Sequence, residues 1–307
     1  MSLLVQIGEK KSLSFQSADI RGVDLVSYNT YGSSTATGDA NVEGIDWNRV
    51  YVNITLNQDG RSSTICATSV KPLAQHLNYM QSGWDYCSNG QTAYTISGSG
   101  GSAGDILIAN ARLDFGQVIN LRGDDSLVVE VRVQNDCINT NYTTASYVEV
   151  DVMEGVGLQY TTPQFHTFAI NGGESKFSHS IGDNCTAISL QNIDSTPTNM
   201  YSVSPWQNAR VFSDRYNVND DWGQLWSKRT ALFQTDAEAT ERHQSFVLST
   251  ETTDNTQVQL DLFPANNTTN ENYLCYSTFF TNKKLVSKAS SRAEKHAKKS
   301  VEKVMKG

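Results

Sequence analysis

The stretch RVYVNITLNQDG, Arg49 to Gly60, decides how the rest of the chain is read. Val50, Val52, Ile54 and Leu56 alternate with Arg49, Tyr51, Asn53 and Thr55, which is the period of a β-strand with one buried face. NQDG then supplies a turn. The same alternation returns in LVVEVRV (Leu127 to Val133), YVEVDV (Tyr147 to Val152) and QVQLDLF (Gln257 to Phe263). One apolar face per strand has to be covered by a second sheet, so the chain reads as β-sandwiches.

Between the strands the order of signals repeats. SVKPLAQHLNYM places Val70, Leu73, Ala74, Leu77 and Met80 at helical spacing, with Ser69 as a cap and Pro72 in the first turn. A glycine-rich loop (Ser97 to Asp105), the run ILIANARLDFGQVINL and the turn RGDD (Arg122 to Asp125) lead back to a strand. In the second half a strand-like NARVFSDRYNV (Asn208 to Val218) precedes a helix marked by Trp222, Leu225, Trp226, Leu232 and Phe233, with Asn219 or Asp220 as its cap. QSFVLST, the strand at Gln257 to Phe263, the turn PANNTTNEN and YLCYSTFF follow. Glycine, threonine and proline in EGVGLQYTTP (Glu154 to Pro163) mark the boundary. The domains expected are therefore 1–155, 156–282 and a tail, 283–307. Units of roughly 120 to 155 residues with one helix each suit two tandem eight-stranded jelly rolls, a double β-barrel. Immunoglobulin-like sandwiches of about 100 residues are the structural rival, which an inserted helix in both copies fits poorly.

At 307 residues and 38% hydrophobic content, each unit can bury a core. With 5 prolines and abundant Asn, Thr, Ser and Gly, the composition is that of strands joined by polar turns. No run of 18 apolar residues and no leader pattern is present, so a chain made without a signal peptide is expected. Cys66, Cys87, Cys137, Cys185 and Cys275 lie far apart with no CxxC pair, which suggests reduced structural thiols. The N-x-[ST] triplets at Asn53, Asn141, Asn184, Asn266 and Asn267 are what chance supplies in such a composition.

Catalytic and metal motifs are sparse. G-x-S-x-G and H-E-x-x-H are missing from the sequence, and no enzyme activity, cofactor, metal or small-molecule substrate is expected. His76 reads as a half-buried packing residue on the helix, and His166, His179 and His243 stand isolated in polar segments. Asp124–Asp125 and Asp220–Asp221 offer oxygen donors for Ca²⁺ but occur where turns and helix starts favour acids for local reasons. Trp222, Trp226 and Trp206 could form a sugar-stacking platform, but at helical spacing Trp222 and Trp226 read as core anchors.

Charge separates the two ends of the chain. Residues 283–307 hold nine bases against two acids, +7, leaving 15 bases and 30 acids, −15, in the rest. Written as a helix, the tail puts Lys284, Lys288, Arg292, Lys295, Lys299, Lys303 and Lys306 on one side. Leu285, Val286, Ala289, Ala293, Ala297, Val301 and Val304 fill the other, a mostly alanine stripe too weak to insert deeply. Such a face suits an anionic lipid membrane or the phosphates of a genome.

The tandem units, VYVNITLNQDG with the helix after it, and FGQVINLRGDDSLVVEVRV together resemble the double jelly-roll major capsid proteins of tailless icosahedral viruses. That lineage runs from tectiviruses and corticoviruses to adenovirus, and the resemblance is greatest to the smaller members of lipid-containing bacteriophages, including the single-stranded DNA phage of flavobacteria (finnlakevirus). It covers about Ser14 to Phe280. It implies a structural virion protein, made in the host cytoplasm, whose homotrimers form pseudo-hexagonal capsomers of an icosahedral shell. Neighbouring capsomers and penton or spike proteins would be its partners, and its termini would face the internal membrane or genome. A viral spike or vertex protein and a carbohydrate-binding adhesin are the alternatives. Closed rings that bury sheet edges agree with a trimer.

Overall fold

The computed structural model describes residues 2–32, 45–81, 92–95, 103–138, 142–192, 205–215, 217–221, 223–225, 246–249, 252–268 and 272–281. The first unit holds β1 (Leu3–Gln6), β2 (Lys10–Gln16), β3 (Asp19–Thr30), β4 (Val50–Gln58), β5 (Arg61–Ser69), α1 (Val70–Gln81), β6 (Thr92–Thr95), β7 (Ile106–Asn120), β8 (Ser126–Val133) and β9 (Tyr147–Glu154). The second holds β10 (Thr161–Ile170), β11 (Lys176–Gly182), β12 (Cys185–Asn192), β13 (Trp206–Phe212), β14 (Asn217–Asp221), β15 (Phe246–Ser249), β16 (Thr256–Leu262) and β17 (Asn272–Thr281).

The two units share one wiring diagram. In the first, the sheet β1-β9-β3-β7-β6 faces β2-β8-β4-β5; in the second, β10-β17-β12-β15 faces β11-β16-β13-β14. With β6 set aside, each unit pairs its first strand with its last, then its third and sixth. The facing sheet runs second, seventh, fourth, fifth. This is the jelly-roll connectivity, and the fold is an all-β double jelly roll. The first unit departs from the eight strands expected, because β6 adds a ninth along the edge of β7.

Alternation in sequence becomes alternation in burial. Val52 lies opposite Val131 and Ile54 opposite Val129, all buried, while Asn53 lies opposite Glu130 on the other face. Leu260 and Leu262 are buried in the same way, with Asp261 between them on the outer face. Each sandwich closes on its own core: Val50, Val52, Ile54, Leu56, Val129 and Val131 belong to the first, and Ile188, Leu190, Trp206, Val258, Leu260 and Leu274 to the second. Pro163 lies inside β10, where a proline is tolerated because β10 is a sheet edge.

Two local expectations are corrected. Asn208 to Val218 is not one strand but the hairpin β13–β14, whose polar SDR turn interrupts the apolar run. The helix after it is capped by neither Asn219 nor Asp220, which both lie within β14. Its cap is Asp221, whose carboxylate accepts from the Gln224 amide at 2.8 Å while Gln224 Oε1 accepts from the Asp221 amide at 3.0 Å. This reciprocal pair is a capping box. Of the apolar residues expected on that helix only Leu225 is described, and it is buried in the second core. Trp222, Trp226, Leu232 and Phe233 lie outside the described residues, as does most of the glycine-rich stretch.

Candidate functional site

A lone sandwich leaves both outer faces wet, yet on the outer face of the sheet β10-β17-β12-β15 Phe165, Ser189, Gln191, Cys275 and Ser277 are buried. Helix α1 of the first unit lies across it. The sequence of α1 carries a single charged residue, Lys71, in 12 positions. Val70, Leu73, Ala74 and Leu77 enter the first core, and Gln75 and His76, on the side that would normally be solvated, are buried as well. A helix of this composition cannot present a charged face to water, and the second unit covers it.

His76 joins the two units. It is 1% exposed, with Nδ1 2.7 Å from Ser189 Oγ on β12 and Nε2 2.7 Å from Ser277 Oγ on β17. The neighbours assign the protons. Ser189 Oγ accepts from Gln191 Nε2 at 2.9 Å, and Ser277 donates to Met80 Sδ at 3.0 Å. The chain that satisfies both ring nitrogens and both serine hydroxyls runs from Gln191 through Ser189 into Nδ1, then from Nε2–H through Ser277 to Met80. It requires a neutral ring, and burial, aided by His166, pushes the His76 pKa down to about 3. Pro72 O meets Cys275 Sγ in the same contact.

The seam continues through Phe165 of β10, which is buried with the first core and stacks on Phe115 at 5.9 Å. Thr167 bonds Thr68, and Gln164 Nε2 donates to Thr64 O at 3.3 Å. The linker, residues 155–160, is pinned by Gln159. Its Oε1 accepts from Gln58 Nε2 at 3.1 Å and from the Asn120 amide at 3.0 Å, and its own amide donates to Asn120 Oδ1 at 2.7 Å. At Gly155 a Cβ would lie 2.9 Å from both Arg21 Cβ and Val118 Cγ2, so only glycine lets the chain leave β9 this closely.

The histidines are placed differently from the sequence reading. His76 is fully buried, not half-buried, because the second unit covers the face of α1 assigned to solvent. His166 and His179 are not isolated: His166 stacks on Tyr276 at 4.7 Å, His179 packs at a tilt against the same ring at 5.5 Å, and His179 Nε2 lies 3.1 Å from the Tyr276 hydroxyl. Burial lowers both imidazole pKa values and pushes Tyr276 up to about 12. His243 lies outside the described residues.

The acidic pairs serve local structure. Asp125 accepts from the Asp59 and Arg122 amides at 3.2 Å each, closing the turn at the end of β7, and Asp221 caps its helix. Among the described residues no three His, Cys, Asp or Glu side chains cluster, and no helix is long and apolar enough to cross a membrane. Cys66, Cys137, Cys185 and Cys275 are free and buried, and desolvation pushes Cys66 and Cys137 up to about 12 and Cys185 to about 11. Cys87 lies outside the described residues. Trp206 is buried in the second core, away from any platform. The basic residues Lys284, Lys288, Arg292, Lys295, Lys299, Lys303 and Lys306 also lie outside them; the last described residue is Thr281, which pairs with Thr161.

Gln159, Ser189 and Ser277 were missed by sequence reasoning. The only signal for the two serines was their place in otherwise apolar strands, CTAISLQN and YLCYSTFF.

No protein-family model matches the chain, and no curated protein matches it. Solved structures do. The major capsid protein of the Sulfolobus turreted icosahedral virus superposes with a TM-score of 0.56 at 13% identity, over 92% of this chain and 94% of that one. A chain of the whole-virion structure of that virus gives 0.53 at 14% identity, over 92% and 88%. The major capsid protein of bacteriophage PM2 gives 0.43 at 9% identity, over 92% and 99%. At 13 and 14% identity the likeness to the first two is one of fold along nearly the whole chain.

Proposed function

We propose that this chain is the major capsid protein of an icosahedral virus, assembling as homotrimers into pseudo-hexagonal capsomers. The observation that carries this reading is the seam. Two sandwiches of identical strand order are fixed side by side by α1, His76 and Phe165, so three chains supply six near-equivalent lobes. Residues 1–155 and 156–282 act as the two lobes and 283–307 as a tail directed into the particle, toward an internal membrane or the genome. The role is structural, and the partners are further copies of the chain with penton or spike proteins at the vertices.

Supporting it are the match of fold over nearly the full length of a viral major capsid protein and the exposed sheet edges, such as β11, that neighbours would cover. Multi-angle light scattering of the purified protein tests the reading. A trimer of about 101 kDa, three times 33.8 kDa, is expected. A stable monomer at micromolar concentration, with no trimer under any assembly condition, refutes it.

A further inference from the structure

The outer face of the sheet β2-β8-β4-β5 gathers two bases at one end. In one rung Lys10 lies opposite Arg132, Arg132 opposite Tyr51 and Tyr51 opposite Ser69; in the next, Glu130 lies opposite Asn53. Lys10 Nζ holds Glu130 Oε1 at 2.9 Å, whereas the exposed Arg132 makes no ion pair among the described residues. Two bases against one acid stand out on a body of −15. The second unit adds a wall. β10 runs beside β5, Thr68 and Thr167 bond across the gap, and Ala169 and Tyr273 face it as cross-strand partners on β10 and β17. The result is a cleft of about 660 Å³ between the units, with Tyr51, 39% exposed, on the side of the first and Tyr273 on the side of the second.

The cleft sits at the end of the molecule away from the linker. Gln58 closes β4 and bonds Gln159, and Thr161 pairs with Thr281, whereas Tyr51 lies near the start of β4 and Ala169 pairs with Tyr273 at the opposite ends of β10 and β17.

We propose that this cleft binds an acidic sugar residue, a uronic or sialic acid, with Arg132 taking the carboxylate, Tyr51 and Tyr273 packing on the ring, and Asn53 and Glu130 bonding its hydroxyls. The chemistry narrows the ligand. A guanidinium offers paired N–H donors that match the two oxygens of a carboxylate. Glu130 accepts from hydroxyls but repels a phosphate dianion, and the Asn53 amide both donates and accepts. Half-exposed tyrosines present flat apolar rings with a polar tip, which suits the C–H face of a sugar. The volume lies within the roughly 300 to 1,000 Å³ of small-ligand sites. The inference rests on the shell reading only for direction: with the linker end turned inward, the cleft is turned out, where the surface polysaccharide of a host cell would reach it.

Saturation-transfer NMR on the full chain tests the proposal, with methyl glucuronide, the methyl glycoside of N-acetylneuraminic acid and the neutral methyl glucoside as probes. At least one acidic glycoside should bind, and methyl glucoside about tenfold more weakly or not at all. Arg132→Gln should weaken the acidic glycoside about tenfold, and Tyr51→Ala should weaken acidic and neutral sugars alike, both with an unchanged Tm because both side chains stand on the outer face. Equimolar inorganic phosphate should not displace the glycoside. The proposal is overturned if neither acidic glycoside binds, if methyl glucoside binds as tightly, if R132Q binds as the native chain does, or if phosphate competes on equal terms, which would reduce the cleft to a simple anion site. Light scattering on the same samples reads the shell proposal separately: a monomer that binds the acidic glycoside sinks the shell and spares the cleft, and a trimer that binds neither does the reverse.

Discussion

Acidification should weaken the seam through His76 before it affects either core. The ring is held neutral, with a pKa of about 3 in the folded chain against about 6.5 when unfolded. A base whose folded pKa is lowered contributes stability that is complete above the unfolded value and is lost as the pH falls toward the folded one, because the unfolded chain takes up the proton first. The loss attributable to this residue is about 2 kcal/mol at pH 5 and about 3 kcal/mol at pH 4. Urea unfolding followed by tryptophan fluorescence from pH 7.5 to 4, at constant ionic strength, measures it when the native chain is compared with His76→Gln. The variant loses about 1–3 kcal/mol at pH 7.5 from its incomplete hydrogen bonds. Its stability should then fall less steeply with acid, so the two chains converge by about 2 kcal/mol at pH 5. Subtracting one curve from the other removes the titration of His166, His179 and the carboxylates. Parallel curves would refute the reasoning, since they would mean that His76 is wet or already charged in the folded chain.

Three further outcomes concern the cores and the seam. Val131→Asp and Leu260→Asp should each abolish folding, judged by circular dichroism and solubility, because an unpaired charge would enter a closed core at a cost above about 4 kcal/mol; a soluble, assembling variant would show the strand register to be wrong. Phe165→Ala removes a ring that the second unit lends to the first core and should cost about 3–5 kcal/mol in denaturant unfolding; a loss below about 1 kcal/mol would mean that the units are not joined there. Alkylation at pH 8 followed by mass spectrometry should leave Cys66, Cys137, Cys185 and Cys275 unmodified until denaturant is added, since buried thiols with raised pKa supply almost no thiolate. Rapid labelling of any of the four in the native chain would place that thiol at the surface.

The strands easiest to read were those with one wet face. β4, β8, β9 and β16 alternate because water lies on one side and a core on the other, and the face each strand buries emerged from the pattern alone. β12 did not, because α1 dries its outer face: Ser189 and Gln191 look solvated in CTAISLQN but contact His76 and each other. β2 and β11 form sheet edges, and KKSLSFQ and KFSHSIG carry too few apolar residues to announce a strand. The turn at 213–215 was hidden because valine and aromatic residues flank it on both sides. The seam as a whole was illegible for a deeper reason: His76, Ser189 and Ser277 are separated by 113 and 201 residues along the chain, and only the topology unites them. The tail was legible as a charge pattern, whereas the exposure of Val156, Leu158 and Tyr160 in the linker had no local signal.

Negative-stain or cryogenic electron microscopy of the purified protein, imaged as isolated oligomers and after concentration to induce assembly, tests the central claim most directly. The account predicts trimers of near-hexagonal outline with six lobes, two from each chain, and their closure into icosahedral particles. Images showing single two-lobed molecules at every concentration, or rings whose lobe number is not twice the number of chains, would contradict it.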